Sequence, residues 1–304
     1  MNLSTNDLKR ELDMDARTID KLIADSESDP WRLKRAALHR LCLFAHSHGV
    51  DAFRIEPHPI WKGFENSEAL LFRGPKKSDI PVEDHLVKYF ERLTCEVNSS
   101  TSFSGLDEKM REHNCVIIGS PKANRASELA LTLLWGAEPF DSSAKNREKI
   151  PISFLGMQTD SKEPSALLQE GTRHGLSILP SGAKEKSFLK ADWLPPEKFG
   201  PYKGTGQDAA VLVVCNRPLG TKNDVTTVVI AGYTGLATLV AAQEATYKEI
   251  PDLQPHETPG EPVFAALKFR YKKRIQYKRM LDNLRTLEEG STKWAPPWHA
   301  AFFL

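Results

Sequence analysis

The sequence has 304 residues, more than one ordinary domain needs and enough for two. Its 41 Lys+Arg against 40 Asp+Glu leave a formal charge of +1, which excludes a polycation built to coat nucleic acid or anionic lipid, so any such contact must come from a local patch. With 40% hydrophobic and 27% charged residues the chain is neither disordered nor membranous as a whole.

The first pattern runs over residues 4–23. Leu8 and Leu12 stand one helical turn apart, as do Ile19 and Leu22 or Ile23, so two short amphipathic helices are predicted to meet near Met14. Ser4 or Thr5 can cap the first helix and Asp15 the second, leaving residues 13–15 as the connection. With Leu8, Leu12, Met14, Ile19 and Leu22 at these spacings, the segment resembles the helix-turn-helix of bacterial transcription regulators. Lys9 and Asp13 depart from that family's pattern, standing where it usually has alanine and the turn glycine. The resemblance implies that the second helix enters the major groove of DNA, with Arg17, Thr18 and Lys21 on the reading face: Arg17 and Lys21 for guanine or phosphate, Thr18 for phosphate or a thymine methyl. It also implies a dimer on a two-fold site. Five acidic residues, Asp7, Glu11, Asp13, Asp15 and Asp20, leave this unit nearly neutral.

A further helix is predicted from Asp29, a cap followed by Pro30 at the first helical position. Its Leu33, Ala36, Ala37, Leu41 and Phe44 face a core, while Arg32, Lys34 and Arg35 fall on a basic face suited to phosphate contacts that position a protein without reading sequence. The plainer reading is a solvated face on a supporting helix, or a helical module that binds another protein. Residues 1–55 are taken as this small all-α helix-turn-helix domain.

Residues 56–304 change pattern. Apolar strands are predicted at 68–73, 115–118, 151–155, 209–215 and 225–231, with helices at 83–93, 125–134 and 237–248 between them. Such alternation implies a Rossmann-like, mostly parallel α/β domain, with a loop-rich insertion rich in Gly, Pro and Lys at about 157–206. Residues 225–243 carry no charge, yet their threonines and glycines and the change from β-branched to alanine-rich composition mark strand, loop and helix rather than a membrane span. Two strand–glycine-loop–helix junctions follow. Gly119, Ser120, Lys122, Asn124 and Arg125 form one, and Gly232, Tyr233, Thr234, Gly235 and Thr238 the other. Both are placed at the carboxyl edge of the sheet, where open α/β sheets bind ligands and helix N-termini favour phosphate or carboxylate. Neither loop is a dinucleotide fingerprint or a P-loop, and ordinary tight βα turns would use glycine too.

No metal site or cofactor is expected, because Cys42, Cys95, Cys115 and Cys215 form no Cys-x-x-Cys pair and the histidines are scattered. No catalytic residue stands out. Cys215 ends a strand, as a nucleophile can, but reads better as a small buried hydrophobe. The basic run Lys268, Arg270, Lys272, Lys273, Arg274, Lys278 and Arg279 is either an edge strand with a solvated helix or a second DNA patch, and the apolar C-terminus, with Trp294 and Trp298, is expected to dock on the body or on another subunit. With no secretory signal in the N-terminal residues, the expectation is a cytoplasmic, homodimeric DNA-binding regulator that senses a small anionic or nucleotide-like ligand. The alternative is an enzyme acting on a nucleotide or phosphorylated metabolite, with the N-terminal helices as an interaction module.

Overall fold

The computed structural model describes residues 58–75, 79–157, 164–179, 183–192, 205–247, 253, 258–272, 293–294 and 298–299. The segment that resembles a helix-turn-helix, with Arg17, Thr18 and Lys21, and the basic face expected at Arg32, Lys34 and Arg35 lie outside these residues, as does the basic run beyond Lys272.

Apolar runs become buried strands as expected. β1 (Glu68–Arg73), β3 (Asn114–Ile118) and β9 (Thr226–Gly232) lie side by side and parallel, and β2 (Glu96–Ser100) extends them at the outer edge of β1. β3 and β9 bury every residue, because helices cover both faces. α1 (Ile80–Arg92) and α5 (Gly235–Tyr247) pack on one face, where Val82, Leu86 and Phe90 meet Leu236, Val240 and the inward side chains of β1, β3 and β9. α2 (Leu106–Glu112) and α3 (Arg125–Leu134) cover the other face through Leu106, Met110, Ala130 and Leu131. A short helix, α4 (Ala144–Arg147), follows α3.

The rest of the sheet is antiparallel. β8 (Thr205–Asn216) runs against β9, β10 (Val263–Lys272) runs against β8, and the two-residue strands β11 (Lys293–Trp294) and β12 (Trp298–His299) pair with β10. The sheet order is β11-β10-β8-β9-β3-β1-β2, with β12 also on β10. β2, β1, β3, β9 and β10 therefore point one way and β8, β11 and β12 the other. β10 is an interior strand, with the backbones of β11 and β12 paired along its outer side.

The loop-rich stretch builds a second sheet. β4 (Ile152–Leu155), β5 (Leu168–Gln169), β6 (Gly175–Ile178) and β7 (Ser187–Lys190) pair in the order β5-β4-β6-β7 and add Phe154, Leu168, Leu176 and Ile178 to the core on the α3 side. Among the described residues, no helix is long and apolar enough to cross a membrane; residues 225–243 form β9, a turn and most of α5.

Candidate functional site

The chain runs from β1 out to β2 and then returns to β3 on the other side of β1, so strand order reverses between β1 and β3. The helices that follow these two strands leave to opposite faces, α1 to one and α3 to the other. The loops after β1 and β3 therefore flank the place where an open α/β sheet forms a ligand crevice. Sequence reasoning found the β3 side of it and missed the β1 side.

That missed side contributes Arg73, Gly74, Asp79 and Glu83. A Cβ on Gly74 would stand 2.3 Å from the Ala123 carbonyl oxygen and 2.8 Å from Asp79 Oδ2, so only glycine lets the two loops meet. Gly119 adopts φ +107°, a conformation that side chains disfavour, and its missing Cβ leaves the same Asp79 oxygen 3.0 Å away. Asp79 is 1% exposed, so a carboxyl lies packed between the two glycines. Beside it Arg73 Nε pairs with Glu83 Oε2 at 2.5 Å. No aromatic or glycine-rich signature marks Arg73, Asp79 or Glu83; strand order alone assigns them here.

The β3–α3 loop is fastened from within. Asn124 caps α3 by accepting from the Ala126 N–H at 3.0 Å, and its amide group donates to the carbonyls of Phe72 (3.2 Å) and Ile118 (2.9 Å), joining the ends of β1 and β3. The N–H groups of Ala123 and Asn124 both donate to the Ser120 carbonyl, and Ser127 Oγ donates to the Gly119 carbonyl at 2.7 Å. Arg125 lays its guanidinium over the Phe140 ring, 4.0 Å from the centroid. Lys122 is exposed at the lip of the loop, with Ser120 beneath it at 7% exposure.

The β9–α5 turn is adjacent, since β9 is the neighbour of β3 and the Gly119 N–H donates to the Ile230 carbonyl at 3.0 Å. Its groups too are engaged. Thr238 Oγ1 accepts from the Gly232 N–H at 3.1 Å, and Thr234 Oγ1 accepts from the Ala237 N–H at 3.3 Å. A Cβ on Gly232 would stand 2.2 Å from the Thr238 nitrogen, so this glycine serves the close approach of strand and helix. Tyr233 is 2% exposed; its hydroxyl donates to the Leu155 carbonyl at 2.8 Å and contacts His174 Nδ1 at 3.0 Å, which ties the turn to the second sheet. The phenol has one proton and gives it to Leu155, so His174 Nδ1 is the donor in that contact. Burial pushes the Tyr233 phenol well above its usual range.

Asp208, at the start of β8, completes this edge. Thr234 Oγ1 donates to its Oδ2 in a short contact, and the Ala209 N–H donates to its Oδ1 at 2.8 Å. Burial pushes Asp208 up to about 7; those two donors oppose the rise, and the charge of Asp192 adds to it. Elsewhere, burial pushes the Cys115 and Cys215 thiols up to about 12, so neither is poised as a thiolate. Among the described residues, no group of three or more His, Cys, Asp or Glu side chains is placed to hold a metal ion.

Fold and edge together define a mixed α/β unit whose strand order reverses between β1 and β3 in its parallel half. No family model matches the chain. No curated protein matches it closely enough to count as a relative.

Proposed function

We propose that the protein is a DNA-binding transcription regulator whose α/β unit holds a small nucleotide-like ligand at the β1/β3 crevice. The observation that carries the reading is the reversal of strand order between β1 and β3, with α1 and α3 leaving to opposite faces. The side chains bordering the crevice refine the ligand. Most amides of the β3–α3 loop already have partners, so Lys122 and Ser120, rather than a bare helix end, meet the anionic group. The Asp79 carboxyl and the Arg73–Glu83 pair favour hydroxyl or amino groups on the same ligand, which a nucleotide carries and a free phosphate lacks. Residues 1–55 supply the DNA contact through Arg17, Thr18 and Lys21, with Arg32, Lys34 and Arg35 on phosphates, in a homodimer on a two-fold site.

Thermal melting of the full-length protein against mononucleotides, dinucleotides and inorganic phosphate tests the ligand. Saturation at a hundred times Kd adds about 2.7 kcal/mol, a rise of roughly 5–10 °C for a unit of this size. A nucleotide should give that rise and phosphate should not, and Lys122→Ala with Ser120→Ala should weaken binding at least tenfold. Absence of a rise with every nucleotide overturns the sensor. Mobility shift of the DNA upstream of the coding region, unaffected by Arg17→Ala with Lys21→Ala, overturns the helix-turn-helix. Turnover of a nucleotide, lost with Lys122→Ala, would replace the regulator by an enzyme.

A further inference from the structure

Asp208 does not belong to the crevice and has no part in the reading above. It faces Phe269 directly across the β8–β10 pair, and opposed residues share a face of the sheet, so its carboxyl lies on the apolar side that α5 covers. It is 1% exposed. Its Oδ2 receives the Thr234 hydroxyl, and the same hydroxyl accepts the Ala237 N–H at the start of α5. One side chain thus joins the first turn of α5 to a buried carboxyl on β8.

We propose that the 232–235 turn is a proton-linked latch: closed, it keeps a proton on Asp208, and opening it admits water to the carboxyl so that the proton leaves to solvent. With a proton on the carboxyl, Oδ2 still accepts from the Thr234 hydroxyl and no charge is buried. Without it, two neutral donors, the Thr234 hydroxyl and the Ala209 N–H, hold a carboxylate away from water, a costly arrangement.

The surroundings favour the protonated form. Asp192, just after β7, adds a like charge; its Oδ2 accepts from the Gln207 N–H at 2.9 Å and its Oδ1 pairs with Lys190 Nζ at 3.0 Å, so that cation is directed at Asp192. From the turn itself comes the neutral Tyr233 phenol, in contact in turn with His174. From β10 comes Phe269, whose neighbours Lys268 and Arg270 are exposed and alternate to the other face. α5 has no charged residue before Glu244. The rise of Asp208 to about 7 agrees with this geometry. Because the turn adjoins the β3–α3 loop, the latch sets how firmly this edge of the sheet is closed.

Hydrogen exchange of the full-length protein between pH 4.5 and 8.5, corrected for intrinsic exchange, tests the latch at residues 232–238. Opening that releases one proton is favoured about tenfold per pH unit up to the closed-state pKa and no further. Protection should therefore fall about tenfold per unit up to about pH 7 and then level off. Asp208→Asn should remove the slope, and Asp192→Asn should move the plateau to lower pH. A flat wild-type profile, or a slope that survives Asp208→Asn, overturns the latch. If Asp208→Asn fails to fold, the side-chain 13C resonance of Asp208 in the wild-type protein decides: titration near neutrality supports the latch, and titration in the ordinary carboxylate range overturns it. None of these outcomes depends on a ligand, so they stand apart from the sensor.

Discussion

Asn124 carries three jobs with one amide. Its oxygen caps α3, and its nitrogen bridges the carbonyls of Phe72 and Ile118 at the ends of two neighbouring strands. Asn124→Ala removes the cap and both donors, which should cost roughly 2–3 kcal/mol in urea unfolding. Asn124→Asp keeps the cap but turns two donors into acceptors facing carbonyls, so it should cost at least as much. A loss below about 0.5 kcal/mol for either, the range of an ordinary surface change, sinks this account. The glycines of the two loops were legible in the sequence because glycine next to a strand end has few other uses. That their amides are already engaged was not legible, because it depends on which way Asn124, Thr234 and Thr238 turn, and the same residue types also serve as ligand donors.

At the scale of elements, the 3-10 turn Pro59–Phe64 is held by rings as well as by its own hydrogen bonds, among them the Ile60 N–H to His58 Nδ1 and the Trp61 N–H to the His58 carbonyl. Trp61 meets Phe64, Tyr89 and Phe90 edge-on with centroids 5.4–5.8 Å apart, and its Nε1 donates to the Ala245 carbonyl in α5 at 2.8 Å. Trp61 is fully buried, so Trp61→Ala should cost about 3–5 kcal/mol, while Trp61→Phe should recover the ring contacts and lose the bond to α5. Equal losses from both, read from chemical unfolding, would assign the stabilisation to the hydrogen bond alone. Strands such as β3 and β9 were readable because each is an unbroken apolar run. β2, Glu-Val-Asn-Ser-Ser, was not, because an edge strand needs no apolar face on its open side. β5, β6 and β7 are two to four residues long among glycines, prolines and lysines, too short for any period to emerge from a stretch that reads as loop.

For the molecule as a whole, alternation of strands and helices disclosed the α/β class, but strand direction stayed hidden in β8 and β10: their apolar stretches, residues 209–215 and 263–267, are buried on both faces and read the same whichever way they run. Direction matters, because the antiparallel start of β8 is what brings Asp208 to the carboxyl edge beside Thr234. The buried acids then set how stability follows pH. Asp208 rises to about 7 and burial also raises Glu128, whose carboxylate accepts from Ser165 Oγ and the Ala166 N–H. A carboxyl raised in the folded state binds more protons there than in the unfolded chain, so the stability it contributes is fully present below its unfolded value near 4 and is lost as pH rises through the folded value. Asp141 has the opposite sign, lowered by its bonds from Ser143, but it lies at the surface where solvent screens it, so it does not offset the buried pair. Between pH 5 and 7 the unfolding free energy should therefore fall by roughly 2–3 kcal/mol from Asp208 alone. Urea midpoints across that range measure it, and Asp208→Asn should leave only the smaller slope that belongs to Glu128. Stability that climbs toward neutrality in the wild-type protein would mean that Asp208 is ionised in the fold and that water or a cation reaches it.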